Sequence, residues 1–358
     1  MNDSMNFEPK KQIFIDFLRK NNIIEDYKKK LGSGTDGVIY EVKLRQRNRL
    51  SAAKLISSES YKKEDRLNII EELRGPNIIN IDRILTSKIK GEEYIMIIME
   101  KAVLRDLGRL NDSYFNNNLM KLIYDPFDEH LGDNLLRFYC KQIIDGMEIL
   151  HRNFYVHFDL KPENILITLN LNVKLSDFSL LTKIKDSDKR KIPGGTPGYV
   201  SREYYDRAKM PSEELRKQDY FSLGSTIFFL KYGDNLLKYE KFDELIMNND
   251  RITDLLHQRI EYIKSRPFAD DDFIEFLSEL IQYRPCDRPI FEEIYRNKWL
   301  NKDLEKVKDI LDINEADEEK LLIEFQKSDF LSKKEEEKKE KEITHKKFNF
   351  KVKKRKHI

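Results

Sequence analysis

The stretch Val156-His157-Phe158-Asp159-Leu160-Lys161-Pro162-Glu163-Asn164, followed by Ser176-Asp177-Phe178, decides how this chain is read. A lone His-x-Asp triplet or Asp-Phe pair arises by chance. Here an acid, a lysine, an amide and a second acid recur at separations that one short loop and the next strand end bring together, which an ordinary polar loop has no reason to do. Upstream, Leu31-Gly32-Ser33-Gly34-Thr35-Asp36-Gly37-Val38-Ile39-Tyr40 follows an expected strand over Tyr27–Leu31 and leads into another over Val38–Leu44. A glycine-rich turn between two strands, rather than between a strand and a helix, folds over phosphate groups with its backbone amides exposed. Ser51-Ala52-Ala53-Lys54-Leu55 then sets a lysine seventeen residues after Gly37, among apolar, strand-like neighbours.

In order and spacing these segments resemble the eukaryotic-type protein kinase domain, and further motifs extend the resemblance over residues 24–302. Gly195-Thr196-Pro197-Gly198-Tyr199-Val200-Ser201-Arg202-Glu203 resembles the family's substrate-docking segment, with Ser201 and Arg202 where Ala and Pro are usual. Glu203 is expected to pair with Arg288 of Cys286-Asp287-Arg288-Pro289, buried and bidentate, as the planar guanidinium fork favours. Asp219-Tyr220-Phe221-Ser222-Leu223-Gly224 resembles the start of the central helix, where Asp219 is expected to brace the catalytic-loop backbone. The resemblance implies an α+β, two-lobed fold, with an antiparallel sheet in the N-lobe and a mainly helical C-lobe. An extension over residues 1–23 precedes it, and a charged, partly helical or disordered extension over 303–358 follows.

What the resemblance implies for function is ATP-dependent transfer of the γ-phosphate to Ser/Thr hydroxyls of protein substrates in intracellular signalling, with ATP and Mg2+ as cofactors. On that basis Asp159 orients the hydroxyl or accepts its proton, Lys161 screens the transferred phosphoryl charge, and Asn164 and Asp177 bind magnesium. Leu31, Gly32, Ser33, Gly34, Thr35, Asp36, Gly37, Val38 and Ile39 cover the nucleotide, Lys54 reaches its α/β-phosphates, and Ala52 is small enough for adenine to lie flat. After an expected strand over Tyr94–Met99, Glu100-Lys101-Ala102 is the interlobe hinge, with Glu100 and Ala102 beside adenine, Met99 guarding the back of the pocket and Leu166 touching the nucleotide. For Asp106 two readings stand: a ribose contact, or an exposed turn aspartate. Lys161 and Thr196 together point to Ser/Thr rather than Tyr as the acceptor, and Lys161 with Gly195–Glu203 to protein rather than small-molecule substrates.

Three departures from the family pattern bear on activity. Phe158 stands before Asp159 where an arginine usually pairs with an activation-loop phosphate, so no such pairing is expected. Ser179 replaces the glycine after Asp177-Phe178, which narrows the backbone choices there and leaves the metal ligand in place. Arg66 falls where a helical glutamate should pair with Lys54, flanked by Glu64 and Asp65, and residues one and two apart do not share a helix face. Two function classes follow, a kinase or a nucleotide-binding pseudokinase scaffold. Retention of Lys54, Asp159, Asn164 and Asp177 favours the enzyme, because a scaffold has no physical need of all four.

Composition agrees. With 358 residues and 39% hydrophobic content the chain builds one two-lobed domain with extensions, and a net charge of +2 gives no global argument for nucleic-acid binding. The two cysteines, Cys140 and Cys286, offer neither metal spacing nor a disulfide framework, which suits a reducing, cytoplasmic setting. The apolar run Tyr220–Leu230 is too short to span a bilayer. Ile13, Phe14, Phe17 and Leu18 recur at helical spacing, for a short helix that docks on the N-lobe or binds a partner. Polar residues 111–132 read as a surface insertion. Beyond Trp299, Leu304, Val307, Ile310 and Leu311 carry helical periodicity, and Lys351-Val352-Lys353-Lys354-Arg355-Lys356 reads as a nuclear address, a polyanion-binding tail or a solvated end.

Overall fold

A computed structural model describes residues 7–33, 37–45, 50–58, 70–71, 73–102, 106–108, 133–168, 170–184, 189–206, 209–237, 249–266 and 270–302. The expected two-lobed α+β arrangement forms. Strands β1 (Ile24–Ser33), β2 (Gly37–Leu44), β3 (Leu50–Ser57), β4 (Ile81–Ile89) and β5 (Glu92–Glu100) make one antiparallel sheet in the order β1-β2-β3-β5-β4. Lys90 and Gly91, both at positive φ, close β4 onto β5 in the kind of two-residue turn whose twist matches a hairpin.

In the central strands β2, β3 and β5 both faces are largely buried, because these strands alternate two buried sets rather than buried and exposed ones. Val38, Leu55 and Met96 are register partners on one face, as are Tyr40, Ala53 and Ile98, and all six belong to one buried cluster. Ile39, Lys54 and Ile97 are partners on the other, which looks toward the C-lobe. The first face has its own cover. Helix α1 (Phe7–Asn21) lays Phe14 and Phe17 on it, both fully buried, with Ile13 and Leu18 packed beside them. The helix therefore docks on the N-lobe, and its alternative role as a free partner-binding helix loses the face that would do the binding. Basic Arg19 and Lys20 occupy its last turn, and Asn22, at φ 49, ends it by bonding its N–H to Leu18 O at 3.0 Å.

The larger core is helical. α2 (Asp133–Arg152) and α4 (Ser212–Tyr232) pack together, with α3 (Arg202–Asp206), α5 (Asn249–Lys264), α6 (Asp271–Leu280) and α7 (Phe291–Arg296) around them. α4 is buried along most of its length and stops at Gly233, whose φ of 68 is the left-handed conformation that suits glycine and whose N–H bonds Phe229 O at 2.8 Å. Trp299 fills the base of this lobe between Phe273 and Phe276, at centroid distances of 5.1 and 5.3 Å. Among the described residues, no helix is long and apolar enough to cross a membrane.

Short strand pairs carry the loops that face the sheet: β6 (Tyr155–Val156) with β9 (Thr182–Lys183), β7 (Ile165–Ile167) with β8 (Val173–Leu175), and β10 (Lys189–Arg190) with β11 (Met210–Pro211). Backbone bonds Ile79 N to Leu175 O, at 2.9 Å, and Leu175 N to Asn77 O, at 2.8 Å, stitch β8 to the segment that leads into β4. The Asn77 amide adds a bond to Val173 O at 2.9 Å. The end of β8, and so Asp177 just beyond it, is thereby fixed relative to the sheet.

Candidate functional site

A cleft between sheet and helical lobe is lined by Leu31, Gly32, Ile39, Ala52, Lys54, Glu100, Ala102, Asp106, Asn164, Leu166 and Asp177, each of them singled out from sequence. Ile70, Ile79, Ile81, Ile97, Met99 and Phe178 line it as well, so Met99 reaches the pocket it is expected to guard. Asp106 pairs through its backbone with Leu166 and lines the cleft, which favours the ligand-facing reading over an exposed turn. Gly37 opens β2 so close to β3 that a Cβ there would sit 2.0 Å from Leu55 O, and only glycine allows that approach.

One expectation is corrected. Val38 is 1% exposed and packs in the cluster under α1, because adjacent strand residues point to opposite faces and Ile39 takes the cleft side. Ser33 continues β1 opposite Val38, its side chain lying outside the described residues. Gly34, Thr35 and Asp36 lie outside them too, as do Glu64, Asp65 and Arg66.

The polar residues form one connected group. Lys54 Nζ donates to Asp177 Oδ1 at 2.7 Å. The Ser179 hydroxyl also bonds the Asp177 carboxylate, so the residue in glycine's place acts on the acid two positions before it. Burial opposes the charge on Asp177, but the Lys54 ammonium with its hydrogen bond, the His157 ring and the Ser179 hydroxyl outweigh it and hold the carboxyl below its ordinary 3.8. Asn164 Nδ2 donates to Asp159 O at 2.7 Å and to Asp159 Oδ2 at 2.9 Å, which engages the amide nitrogen and leaves the carbonyl oxygen as its cation-binding end. Lys161 Nζ lies 3.0 Å from Asp159 Oδ2 and donates to Thr196 Oγ1 at 2.6 Å, and Thr196 Oγ1 donates to Asp159 Oδ1 at 2.6 Å.

A hard divalent cation fits this donor set. Asn164 and Asp177 offer oxygen ligands on one side of the cleft, and Mg2+ takes one or two such protein oxygens together with phosphate oxygens and water. Among the described residues, no three His, Cys, Asp or Glu side chains gather to hold a metal by themselves.

The loop that carries Asp159 is held from below by Asp219. This fully buried carboxylate accepts from His157 N at 2.9 Å and from His151 Nε2 at 2.9 Å through Oδ2, and from Phe158 N at 3.0 Å through Oδ1. The bracing expected of it is what forms. Burial works against the charged form, yet the His151 bond and ring, the His157 ring and the His157 N–H prevail and keep its pKa below 3.8. A carboxyl depressed in the folded state contributes stability that is present above the unfolded value and is lost as pH falls through the folded one. Unfolding midpoints followed from pH about 5 to about 1 should therefore fall more steeply for the natural protein than for Asp219→Asn, which is expected to start less stable and respond less to acid.

Sequence reasoning also missed how the hinge is fastened. Lys101 Nζ meets the buried Glu41 of β2 at 2.5 Å, while Glu100 Oε1 accepts from Lys174 Nζ of β8 at 2.6 Å and from Asn80 N at 2.7 Å. The available signal was the alternation that turns Glu41 to the cleft side, opposite Ala52. Nothing in the sequence names its partner. The Glu203–Arg288 pair is buried as expected, but both contacts, at 2.8 and 3.1 Å, come from Nη2 alone. Arg288 Nε and Nη1 go instead to Gln282 O and Lys217 O, at 2.9 and 3.1 Å.

Comparison with known proteins gives this geometry its relatives. A family described as protein kinase domain matches residues 26–300. The serine/threonine-protein kinase dst2 of Dictyostelium discoideum is 26% identical over 294 residues, 81% of this chain and 24% of that protein. Serine/threonine-protein kinase MRCK beta of Rattus norvegicus is 25% identical over 74% of this chain and 15% of its own length. CBL-interacting serine/threonine-protein kinase 12 of Arabidopsis thaliana is 28% identical over 78% of this chain and 53% of its own length. The chain thus spans about half of one of these relatives and a quarter or less of the others.

Proposed function

The chain belongs to the protein kinase domain family, and from that premise we propose that it transfers the γ-phosphoryl group of ATP to serine and threonine hydroxyls of protein substrates. The observation that carries the reading is the hydrogen-bonded group Asp159–Lys161–Thr196, joined through Asn164 to a cleft that also holds Lys54 and Asp177. Asp159 Oδ1, which accepts from Thr196, is the oxygen that takes over a substrate hydroxyl, orients it and receives its proton. Lys161, 3.0 Å from the same carboxylate, neutralises charge on the phosphoryl group in transit. Lys54 with the glycine-rich segment would hold the phosphates, Glu100 and Ala102 would offer backbone groups to adenine, and Leu166 and Asp106 would meet the rest of the nucleoside. Asn164 and Asp177 would hold magnesium, which would offset phosphate charge.

Labelled ATP, magnesium and a degenerate Ser/Thr/Tyr peptide library test activity and acceptor together. Label on Ser or Thr peptides supports the reading. ATP binding by pure, folded protein without transfer replaces it with a nucleotide-binding scaffold.

Regulation follows from Phe158. It is fully buried at φ 65 and packs with Val156, Ile184, Ile192, Met210 and Leu215, so apolar contact holds the segment where a phosphate–arginine pair would otherwise do so. Of the hydroxyls in this segment, Thr182 is buried in β9 with its Oγ1 donating to Leu180 O at 2.9 Å, and Ser187 lies outside the described residues. Phosphatase-treated protein and a Thr182→Ala, Ser187→Ala double variant should keep turnover within about threefold of the untreated enzyme, a difference below ~1 kcal/mol. Loss in both, with recovery of the treated natural protein on rephosphorylation, would show the segment to be phosphate-ordered after all.

A further inference from the structure

Helix α1 does more than cover an apolar face, because it is fastened to both sides of the sheet. At its C-terminal end, Lys20 Nζ donates to Lys88 O and Asn21 Nδ2 to Ser87 Oγ, both at 3.0 Å, and both partners belong to β4. Seven residues earlier, Phe14 packs on Tyr40 of β2, with ring centroids 4.5 Å apart and planes 36° apart. The same ring meets Tyr27 of β1 edge-on at 6.0 Å, and Tyr27 and Tyr40 lie edge-on at 5.9 Å. In the order β1-β2-β3-β5-β4, the β1–β2 hairpin and β4 are opposite edges. The rise of about 10 Å from Phe14 to Asn21, lengthened by their side chains, matches the roughly 14 Å from β2 to β4.

The hairpin so clasped is the one that carries the glycine-rich turn. Tyr40 sits on the α1 face while its neighbour Ile39 lines the cleft, so a shift of the Tyr40 backbone moves the cleft wall with it. We infer that Phe14 is a positioning residue for the nucleotide: through Tyr27 and Tyr40 it fixes β1 and β2, and with them Gly32 and Ile39, at the wall of the cleft, using β4 as the anchor. The inference rests on the reading that the cleft takes ATP. In energetic terms the clasp preorganises the hairpin, so that ordering it is not charged against nucleotide affinity.

Phe14→Leu keeps an apolar, somewhat smaller side chain and removes the ring, and the strand-by-strand exchange pattern separates this role from plain burial. The full chain and the variant are titrated with magnesium and a non-hydrolysable ATP analogue by calorimetry, and amide exchange is followed strand by strand. Weakening of about tenfold, with faster exchange confined to β1 and β2, is the expected result. A folded variant that binds within about twofold of the natural protein overturns the inference, as does faster exchange throughout the sheet, which would mark a merely structural role. Failure of the natural protein itself to bind the analogue would instead remove the reading of the cleft, and the inference with it.

Discussion

Asp159→Asn is expected to abolish measurable phosphoryl transfer, a loss of ~10²–10⁴-fold or more, while the protein stays folded and still binds nucleotide with magnesium. The amide keeps the shape of the side chain and still accepts hydrogen bonds at its oxygen, but it cannot take a proton. Its Nδ2 would also face the Lys161 ammonium and the Asn164 amide, donors that Asp159 now satisfies at 3.0 and 2.9 Å. Asp177→Ala is expected to be equally inactive for a different reason. It removes a cation ligand and leaves Lys54 without its 2.7 Å partner, so magnesium-dependent nucleotide binding fails along with transfer. Calorimetric binding beside a transfer assay separates the two variants. Full activity in either, with a folded control, would end the assignment of these acids.

Arg288→Met is expected to cost about 3–5 kcal/mol of stability, because it strands a buried carboxylate. Arg288 is fully buried at its side chain and Glu203 nearly so. Arg288 also donates to Gln282 O and Lys217 O, contacts that methionine cannot make, whereas Glu203→Gln preserves an acceptor for Nη2 and for the Ser201 hydroxyl. Glu203→Gln should therefore be the milder change. Denaturant unfolding of both variants checks the order. Equal losses, or a loss below about 1 kcal/mol for Arg288→Met, would mean that this pair adds little to the lobe.

The elements that the sequence makes legible are those in which chemistry and spacing coincide. Ile13, Phe14, Phe17 and Leu18 announce one helical face, and the acid, lysine and amide of residues 159–164 announce a loop that folds on itself. The partition of Val38 and Ile39 was open to the same period-two rule that places Lys54 between Ile39 and Ile97. Other features depend on distant backbone that no local pattern reports. Which nitrogens of Arg288 meet Glu203 is set by the carbonyls of Gln282 and Lys217, and the partners of Glu41 and Glu100 come from segments remote in the chain. Ser179 reads as a lost glycine in sequence and as a gained hydrogen bond in space.

The hinge works as a buckle with its two tongues drawn opposite ways. Neighbouring residues of opposite charge are held by opposite lobes, Lys101 by Glu41 of β2 and Glu100 by Lys174 of β8. Swinging the lobes apart is expected to strain these clasps, so opening of the cleft would work against an ion pair rather than proceed by free bending. Both pairs are largely shielded from water, unlike the half-exposed Lys264–Glu261 pair, and mobile ions screen them correspondingly less. The two hinge pairs are thus expected to hold with little dependence on the ionic strength around them.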